Sequence, residues 1–137
     1  IAAVSRMKKD VAIWNINSFA EFYMQIEEKY KKDYACSLKL LREERDRFYS
    51  LLGRIPEIRV IPSQANYMMA EIINGMTAKE LTKRLLLGHH IFIKDLSGKI
   101  RRGDRQFVRI AVRNAQDNDR LARALKDELQ GRGSGYF

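Results

Sequence analysis

Arg109-Ile-Ala-Val-Arg113 is a short apolar run with an arginine at each end, and Ile91-Phe-Ile-Lys94-Asp95 upstream also sets a cation beside apolar residues. β-Branched side chains favour extended backbone, so both runs are predicted to form strands. Strand alternation then places Arg109, Ala111 and Arg113 on one face. Because charged side chains are rarely buried without a partner, each cation must face solvent or bind an anionic group.

Segments with helical periodicity surround these two runs. Ser18 and Glu21 are predicted to form the capping box of the first helix. Glycine and proline after residue 52 indicate the end of a second helix. The predicted helices are 15–34, 36–52, one from Thr77 to Gly88 and one that begins after its cap, Asn114.

Strands are predicted between these helices, at residues 58–61, 66–72, 91–93 and 107–112. Helices mixed with a few short strands indicate the fold class α/β (α+β). The predicted architecture is a two-layer sandwich in which helices cover a small sheet of about three to four strands. The order of the strands in that sheet cannot be read from the sequence.

The composition is that of an ordinary globular domain, with 137 residues that are 45% hydrophobic and 31% charged. No apolar run approaches the roughly 18 residues that a membrane span needs, so we expect no membrane contact. The single cysteine, Cys36, suits a reducing compartment, and we expect a cytoplasmic protein. Cys36, His89 and His90 have no metal-ligand spacing, and the two histidines are predicted to lie in a surface loop.

The formal net charge of +9 raises the alternative of a basic module that binds nucleic acid or protein without catalysis. The basic residues, however, are scattered along the polar faces of the predicted helices, beside Glu and Asp. The chain has no zinc-finger spacing and no basic region that leads into heptads. This pattern favours a solvated basic surface over a specific nucleic-acid site.

Five segments, taken in order, carry a resemblance to a known family. They are Ile13–Ala20, Leu41–Arg45 with Phe48, Tyr49 and Leu52, Pro62–Tyr67, Ile91–Asp95, and Arg109–Asn114 with Asp117, Asn118 and Leu121. Together they resemble the class I and II aminotransferases, a group of fold type I pyridoxal-phosphate enzymes. Within that group the similarity is to threonine-phosphate decarboxylases and histidinol-phosphate aminotransferases, and it covers about residues 1–130. The chain resembles their C-terminal small domain.

The resemblance implies a fragment of a larger enzyme. Residues 1–14 would end the connection to a large domain, residues 15–130 would form the small domain, and residues 131–137 a flexible tail. Pyridoxal phosphate and the lysine that holds it would belong to the large domain, before Ile1. The isolated chain would then carry no catalytic or cofactor-binding residue and be inactive, whereas the whole enzyme would be a homodimer.

The resemblance also implies the substrate contacts. Arg109 would bind the carboxylate of an amino-acid substrate through its planar guanidinium, although a structural ion pair with Asp95 or Asp117 is an alternative. Lys94 would hold a distal anionic group, a phosphate in the two enzymes named, where the family usually has arginine; a solvated lysine is its alternative. Arg113 is a further candidate without a clear partner. Asn66 is the last candidate, either as a substrate contact or as a structural hydrogen-bonding group.

Overall fold

The structure is a computed structural model, and it describes residues 4, 6–7, 16–100 and 103–131. The chain divides into two units, Ile1–Ser37 and Leu38–Phe137. The predicted connection over residues 1–14 lies outside the described residues except for Val4, Arg6 and Met7, which are helical. Of the predicted tail, only Gly131 is described.

Helix α1 spans Ser18–Leu52. The prediction of two helices was wrong, because nothing between residues 18 and 52 interrupts the backbone hydrogen bonds: the segment contains neither glycine nor proline. The predicted capping box was also displaced by one residue. Asn17, rather than Ser18, caps the helix, since its Oδ1 accepts a hydrogen bond from the Ala20 N–H at 2.9 Å.

Helices α2 (Ala78–His89) and α3 (Ala115–Leu129) begin where the sequence indicates. The Thr77 side chain accepts a hydrogen bond from the Glu80 N–H, and Asn114 Oδ1 accepts one from the Asp117 N–H. Helix α2 ends one residue later than predicted. His90, with φ of 54°, takes the left-handed conformation that glycine usually provides at this position.

The four strands form one antiparallel sheet in the order β1-β2-β4-β3. The strands are β1 (Ile58–Ile61), β2 (Tyr67–Ile72), β3 (Lys94–Asp95) and β4 (Gln106–Ala111). The prediction of a strand at 91–93 was wrong. The Ile91 N–H donates to the Leu85 carbonyl at the end of α2, and the ladder with β4 begins at Lys94. The hydrogen bond to α2 keeps residues 91–93 out of the sheet, so the pairing with β4 starts only at Lys94.

All three helices of the Leu38–Phe137 unit contribute side chains to one core against one face of this sheet. Phe48 and Leu52 come from α1, and the sheet supplies alternate residues such as Met68 and Ile110. The predicted two-layer α+β architecture is thus confirmed. The opposite face of the sheet, here called the outer face, carries the other alternate residues: Arg59, Ile61, Tyr67, Met69, Glu71, Lys94, Phe107, Arg109 and Ala111.

Candidate functional site

Lys94 and Arg109 lie directly opposite each other on the outer face. They are Cα partners in the register of β3 and β4, and both side chains are exposed. Directly opposite residues in an antiparallel pair have Cβ atoms about 4.5–5.5 Å apart, and like charges at that separation repel. An anionic group placed between them would relieve the repulsion. The pairing of β3 with β4 therefore brings Lys94 and Arg109, which were predicted separately from the sequence, into one candidate site.

Neither cation has a carboxylate partner among the described residues within 4.0 Å. The two acids considered as partners of Arg109 are engaged elsewhere. Asp95 accepts hydrogen bonds from the Ser97 N–H at 2.8 Å and the Ser97 hydroxyl at 3.0 Å. Asp117 accepts from Arg113 at 2.7 Å. The described structure thus shows no ion pair that would brace Arg109.

Tyr67 contacts Arg109 through its ring. The centre of the Arg109 guanidinium lies 5.1 Å from the ring centroid, within the range of a cation–π interaction. Tyr67 is the strand partner of Ala111, two residues beyond Arg109, so the ring lies diagonally across β2 and β4. No role for Tyr67 was predicted from the sequence. The feature that could have indicated one is its position directly after Asn66, at the start of a strand with alternating side chains.

Arg113 lies beyond the end of β4 and binds α3. Its Nε donates to Asp117 Oδ2 at 2.7 Å, and its backbone N–H donates to Asn118 Oδ1 at 3.0 Å. The side chain is exposed, but its charge is neutralised within the chain. The structure therefore brings Lys94 and Arg109 together and gives Arg113 a partner of its own.

Asn66 is exposed immediately before β2. Its backbone carbonyl accepts a hydrogen bond from the Val112 N–H at 2.9 Å, which extends the pairing of β2 with the end of β4. Its side chain makes no hydrogen bond to another residue of the described ranges. The backbone contact fixes the start of β2 and, with it, the position of Tyr67.

Glu71 is buried on the outer face and binds two arginines. Arg105 donates to its carboxylate through Nε at 2.6 Å and through Nη2 at 2.8 Å, and Arg59 donates to the same group. The hydrogen bonds from Arg105, followed by those from Arg59, lower the pKa of Glu71 from its usual 4.5 to about 2. Glu71 thereby pairs with two neighbouring cations and offsets one of their two charges, whereas Lys94 and Arg109 have no such partner in the described part of the chain. This cluster was not predicted from the sequence.

His89 is helical and half-buried, so its assignment to a surface loop was wrong. Its Nε2 lies 2.9 Å from Oε1 of the buried Glu128 on α3. His90 is exposed, as predicted. Over the described ranges no cluster of three or more His, Cys, Asp and Glu side chains could hold a metal ion. None of the helices described there is long and apolar enough to cross a membrane.

Comparison with known proteins shows partial coverage of longer enzymes. The chain is 28% identical over 125 residues to a CMP-5'-(3-aminopropyl)phosphonate synthase from Streptomyces rubellomurinus, covering 91% of this chain and 20% of that protein. It is 29% identical over 133 residues to threonine-phosphate decarboxylase from Salmonella typhimurium, covering 95% of this chain and 35% of that one. This chain thus spans about a third or less of the length of these relatives.

A solved structure supports the same relationship. Histidinol-phosphate aminotransferase from Clostridium acetobutylicum superimposes with a TM-score of 0.78 at 30% identity, covering 93% of this chain and 37% of that one. A profile of the family described as aminotransferase class I and II matches residues 17–125. That match includes all four strands and the paired cations Lys94 and Arg109. The chain therefore belongs to the class I and II aminotransferase family.

Proposed function

We propose that this chain is the substrate-binding C-terminal domain of a pyridoxal-phosphate-dependent enzyme. Arg109 binds the carboxylate of an amino acid, and Lys94 binds a distal anion such as a phosphate or phosphonate. The observation that carries the proposal is the direct pairing of these two cations across β3 and β4 without a carboxylate partner. The Salmonella and Streptomyces relatives, both named for phosphate or phosphonate compounds, support a phosphorus-containing substrate.

Arg109 would orient the substrate more than react with it. Its guanidinium can donate two parallel hydrogen bonds to a carboxylate, which fixes the plane of that group. Tyr67 stacks against the guanidinium and restricts its rotation. Lys94, one strand away, attracts the far end of the substrate as a point charge. A substrate that is held at both ends has little rotational freedom. Its reacting bond is therefore kept in one orientation, which lowers the entropic part of the activation barrier.

We assign the cofactor to a large domain of the same protein, since this chain spans only about a third of the length of its relatives. Pyridoxal phosphate would supply the electron sink for cleavage of a bond at the substrate Cα. The isolated chain is then expected to be inactive.

Transamination of a histidinol-phosphate-like substrate is our first assignment, and decarboxylation of a threonine-phosphate-like substrate is the alternative. Relatives of both kinds match the chain. Threonine phosphate presents both a carboxylate for Arg109 and a phosphate for Lys94. Histidinol phosphate has no carboxylate, so in transamination Arg109 would bind the carboxylate of the 2-oxo acid that accepts the amino group. The two reactions also differ in which bond at Cα breaks. An assay of the full-length protein with both substrate types distinguishes them, since decarboxylation releases carbon dioxide and transamination yields a carbonyl product.

The first part of α1 suggests where the large domain lies. Its aromatic side chains are exposed, and Phe19 reaches 84%. The others are Phe22, Tyr23, Tyr30 and Tyr34. Exposed aromatic side chains grouped along one part of a helix are typical of an interface. We assign them to contact with the large domain or with the second subunit of a homodimer. We also place the enzyme in the cytoplasm, because the single cysteine of this chain, Cys36, suits a reducing compartment.

The decisive experiment replaces Arg109 in the full-length protein loaded with pyridoxal phosphate. Charge-assisted hydrogen bonds contribute roughly 1.5–3 kcal/mol each, so Arg109→Ala should lower kcat/KM by on the order of a hundredfold or more. Arg109→Lys should recover little, because the lysine cannot form the planar fork. Cofactor absorbance should remain unchanged in both variants.

Lys83 provides the matched control for this experiment. It is an exposed lysine on α2, away from the outer face, and Lys83→Ala should retain full activity. Lys94→Ala should impair substrates with a distal anion more than neutral amino acids. Near-normal kcat/KM in a folded Arg109→Ala protein would exclude the proposed carboxylate site.

A further inference from the structure

A cleft lies between the end of α1 and helix α3, and it is here called the helix cleft. Residues 47–55 line one side of it and residues 119–126 the other, and its volume is about 660 Å³. That volume falls within the roughly 300–1,000 Å³ of small-molecule pockets. The two sides are joined at one end by the ion pair of Arg47 with Asp119, whose charged atoms lie 2.8 Å apart. None of the described residues that line it belongs to the outer face, so the helix cleft is separate from the candidate substrate site.

The floor of the helix cleft is aliphatic. Ile55 and Ala122 are buried members of the core, and Leu51 is half-buried against it. None of the described residues that line the cleft is aromatic, so the floor offers no ring for stacking. Residues 119–126 extend about 10 Å along α3. The floor therefore suits a flexible aliphatic chain of about that length.

Positive charge surrounds this floor. Of the charged residues that line the helix cleft, only Asp119 is acidic, and it is paired with Arg47. The remaining cations have no carboxylate within 4.0 Å in the described part of the chain. They are Arg54, Arg123 and Lys126, and all of them are exposed. The helix cleft therefore has an excess of positive charge that nothing described around it offsets.

The cations on α3 repel each other. Arg123 and Lys126 lie one turn apart, and like charges this close on a helix are destabilising. The carbonyl groups at the C-terminal ends of α1 and α3 offset only about half a charge each. Arg123 is also oriented, because its Nε donates to the Asp119 carbonyl at 3.3 Å while its terminal nitrogens bind no other described residue. An anion between these cations would relieve the repulsion and accept charge-assisted hydrogen bonds.

We propose that the helix cleft binds a small anionic amphiphile, a carboxylate or phosphate joined to an aliphatic chain. The anionic group contacts Arg123 and Lys126, and Arg54 attracts it from the other side of the cleft. The chain lies on Leu51 and Ile55. Covering this floor removes apolar surface from water, which a bare anion cannot do. The site therefore requires both parts of the ligand, and it is independent of the substrate contacts on the outer face.

Four compounds test the proposal by calorimetric titration of the full-length protein loaded with pyridoxal phosphate, at concentrations below micelle formation. Octyl phosphate and octanoate combine the aliphatic chain with each of the two anionic groups. Inorganic phosphate lacks the chain, and octyltrimethylammonium carries the opposite charge. At least one anionic amphiphile should bind about tenfold more tightly than inorganic phosphate and than the ammonium compound. The amphiphile that binds more tightly identifies the anionic group.

Single substitutions then locate the bound amphiphile. Arg123→Ala and Lys126→Ala should each weaken its binding about three- to tenfold, since each removes one charged donor. Both residues are exposed, so both variants should fold. Lys79 supplies the matched control, because it is an exposed lysine on α2 outside the helix cleft, and Lys79→Ala should retain the affinity. Arg109→Ala should retain it too, since the substrate site is elsewhere.

Several results would overturn the proposal. Equal binding of inorganic phosphate would remove the role of the floor, and affinity unchanged in both Arg123→Ala and Lys126→Ala would remove the role of the cations. An equal loss in Lys79→Ala would reduce the effect to overall charge, and a loss confined to Arg109→Ala would place the amphiphile in the substrate site. Failure of both amphiphiles to bind also refutes the proposal, and polyglutamate that binds in their place would identify an acidic protein as the ligand.

Discussion

Asn118 is expected to be the most sensitive polar residue of the Leu38–Phe137 unit, because it joins three elements from a buried position. The residue is 1% exposed. Its Nδ2 donates to Glu44 Oε1 of α1 at 2.8 Å and to the Arg113 carbonyl at 2.9 Å. Its Oδ1 accepts from the Arg113 N–H at 3.0 Å. Asn118→Ala would therefore leave the N–H and the carbonyl of Arg113 without this partner and would remove one of the hydrogen bonds that Glu44 accepts.

The magnitude follows from those partners. A buried polar group left unsatisfied costs about 1–3 kcal/mol. Glu44 keeps its hydrogen bonds to Arg47, so the main loss falls on the Arg113 backbone. We expect Asn118→Ala to lower the free energy of unfolding by about 2–4 kcal/mol. Urea unfolding, followed by circular dichroism with the m-value checked, measures this loss.

Asn114 is the control, since it is an exposed asparagine four residues away that caps α3 through a single acceptor. Asn114→Ala should cost about 1 kcal/mol. A second variant, Asn118→Asp, would set a carboxylate beside Glu44, and repulsion should raise the pKa of the new group. The stability of that variant should then increase relative to the parent as the pH falls. A loss in Asn118→Ala no larger than in Asn114→Ala would refute this reasoning.

Two further predictions concern Glu71 and Tyr67 on the outer face. Because the pKa of Glu71 is lowered from 4.5 to about 2, its stabilising contribution is present above pH 4.5 and is lost as the pH falls towards 2. Urea unfolding between pH 2 and 6 should therefore show a smaller pH dependence for Glu71→Gln than for the parent, and equal slopes would contradict the assignment. Tyr67→Leu should lower kcat/KM of the full-length enzyme a few-fold, because an exposed cation–π contact contributes about 0.5–1 kcal/mol. Tyr67→Phe should retain kcat/KM, and a loss as large as that of Tyr67→Leu would point to the hydroxyl instead.

Local signals in the sequence predicted where α2 and α3 begin, because the contacts that decide these two helix starts are local. The caps Thr77 and Asn114 lie within three residues of the N–H groups they bind, and both were predicted correctly. The end of α2 was displaced because His90 takes the left-handed conformation that normally indicates glycine, and Gly88 was the nearest glycine. The missing strand at 91–93 has the same origin, since the hydrogen bond from Ile91 to Leu85 completes the helix end.

Contacts between distant residues could not be predicted in this way. Glu71 and Arg105 are 34 residues apart, and their ion pair depends on the register of β2 and β4. The pairing of Lys94 with Arg109 depends on a strand order that the sequence does not give. The resemblance to a known family identified both cations as candidates. The strand register in the structure shows that the two cations lie close together, and the structure also shows the contact of the Tyr67 ring with Arg109. Neither contact can be read from the spacing of residues in the sequence.

The distribution of neutralised cations on the outer face argues for a specific anion site over a general basic surface. Glu71 binds both Arg59 and Arg105, so this carboxylate offsets one of their two positive charges and engages donors of both guanidinium groups. Lys94 and Arg109 remain without such a partner in the described part of the chain, at the spacing of one strand pair. That arrangement favours a small molecule with two anionic ends, as proposed above, over a polyanion as the ligand of this face.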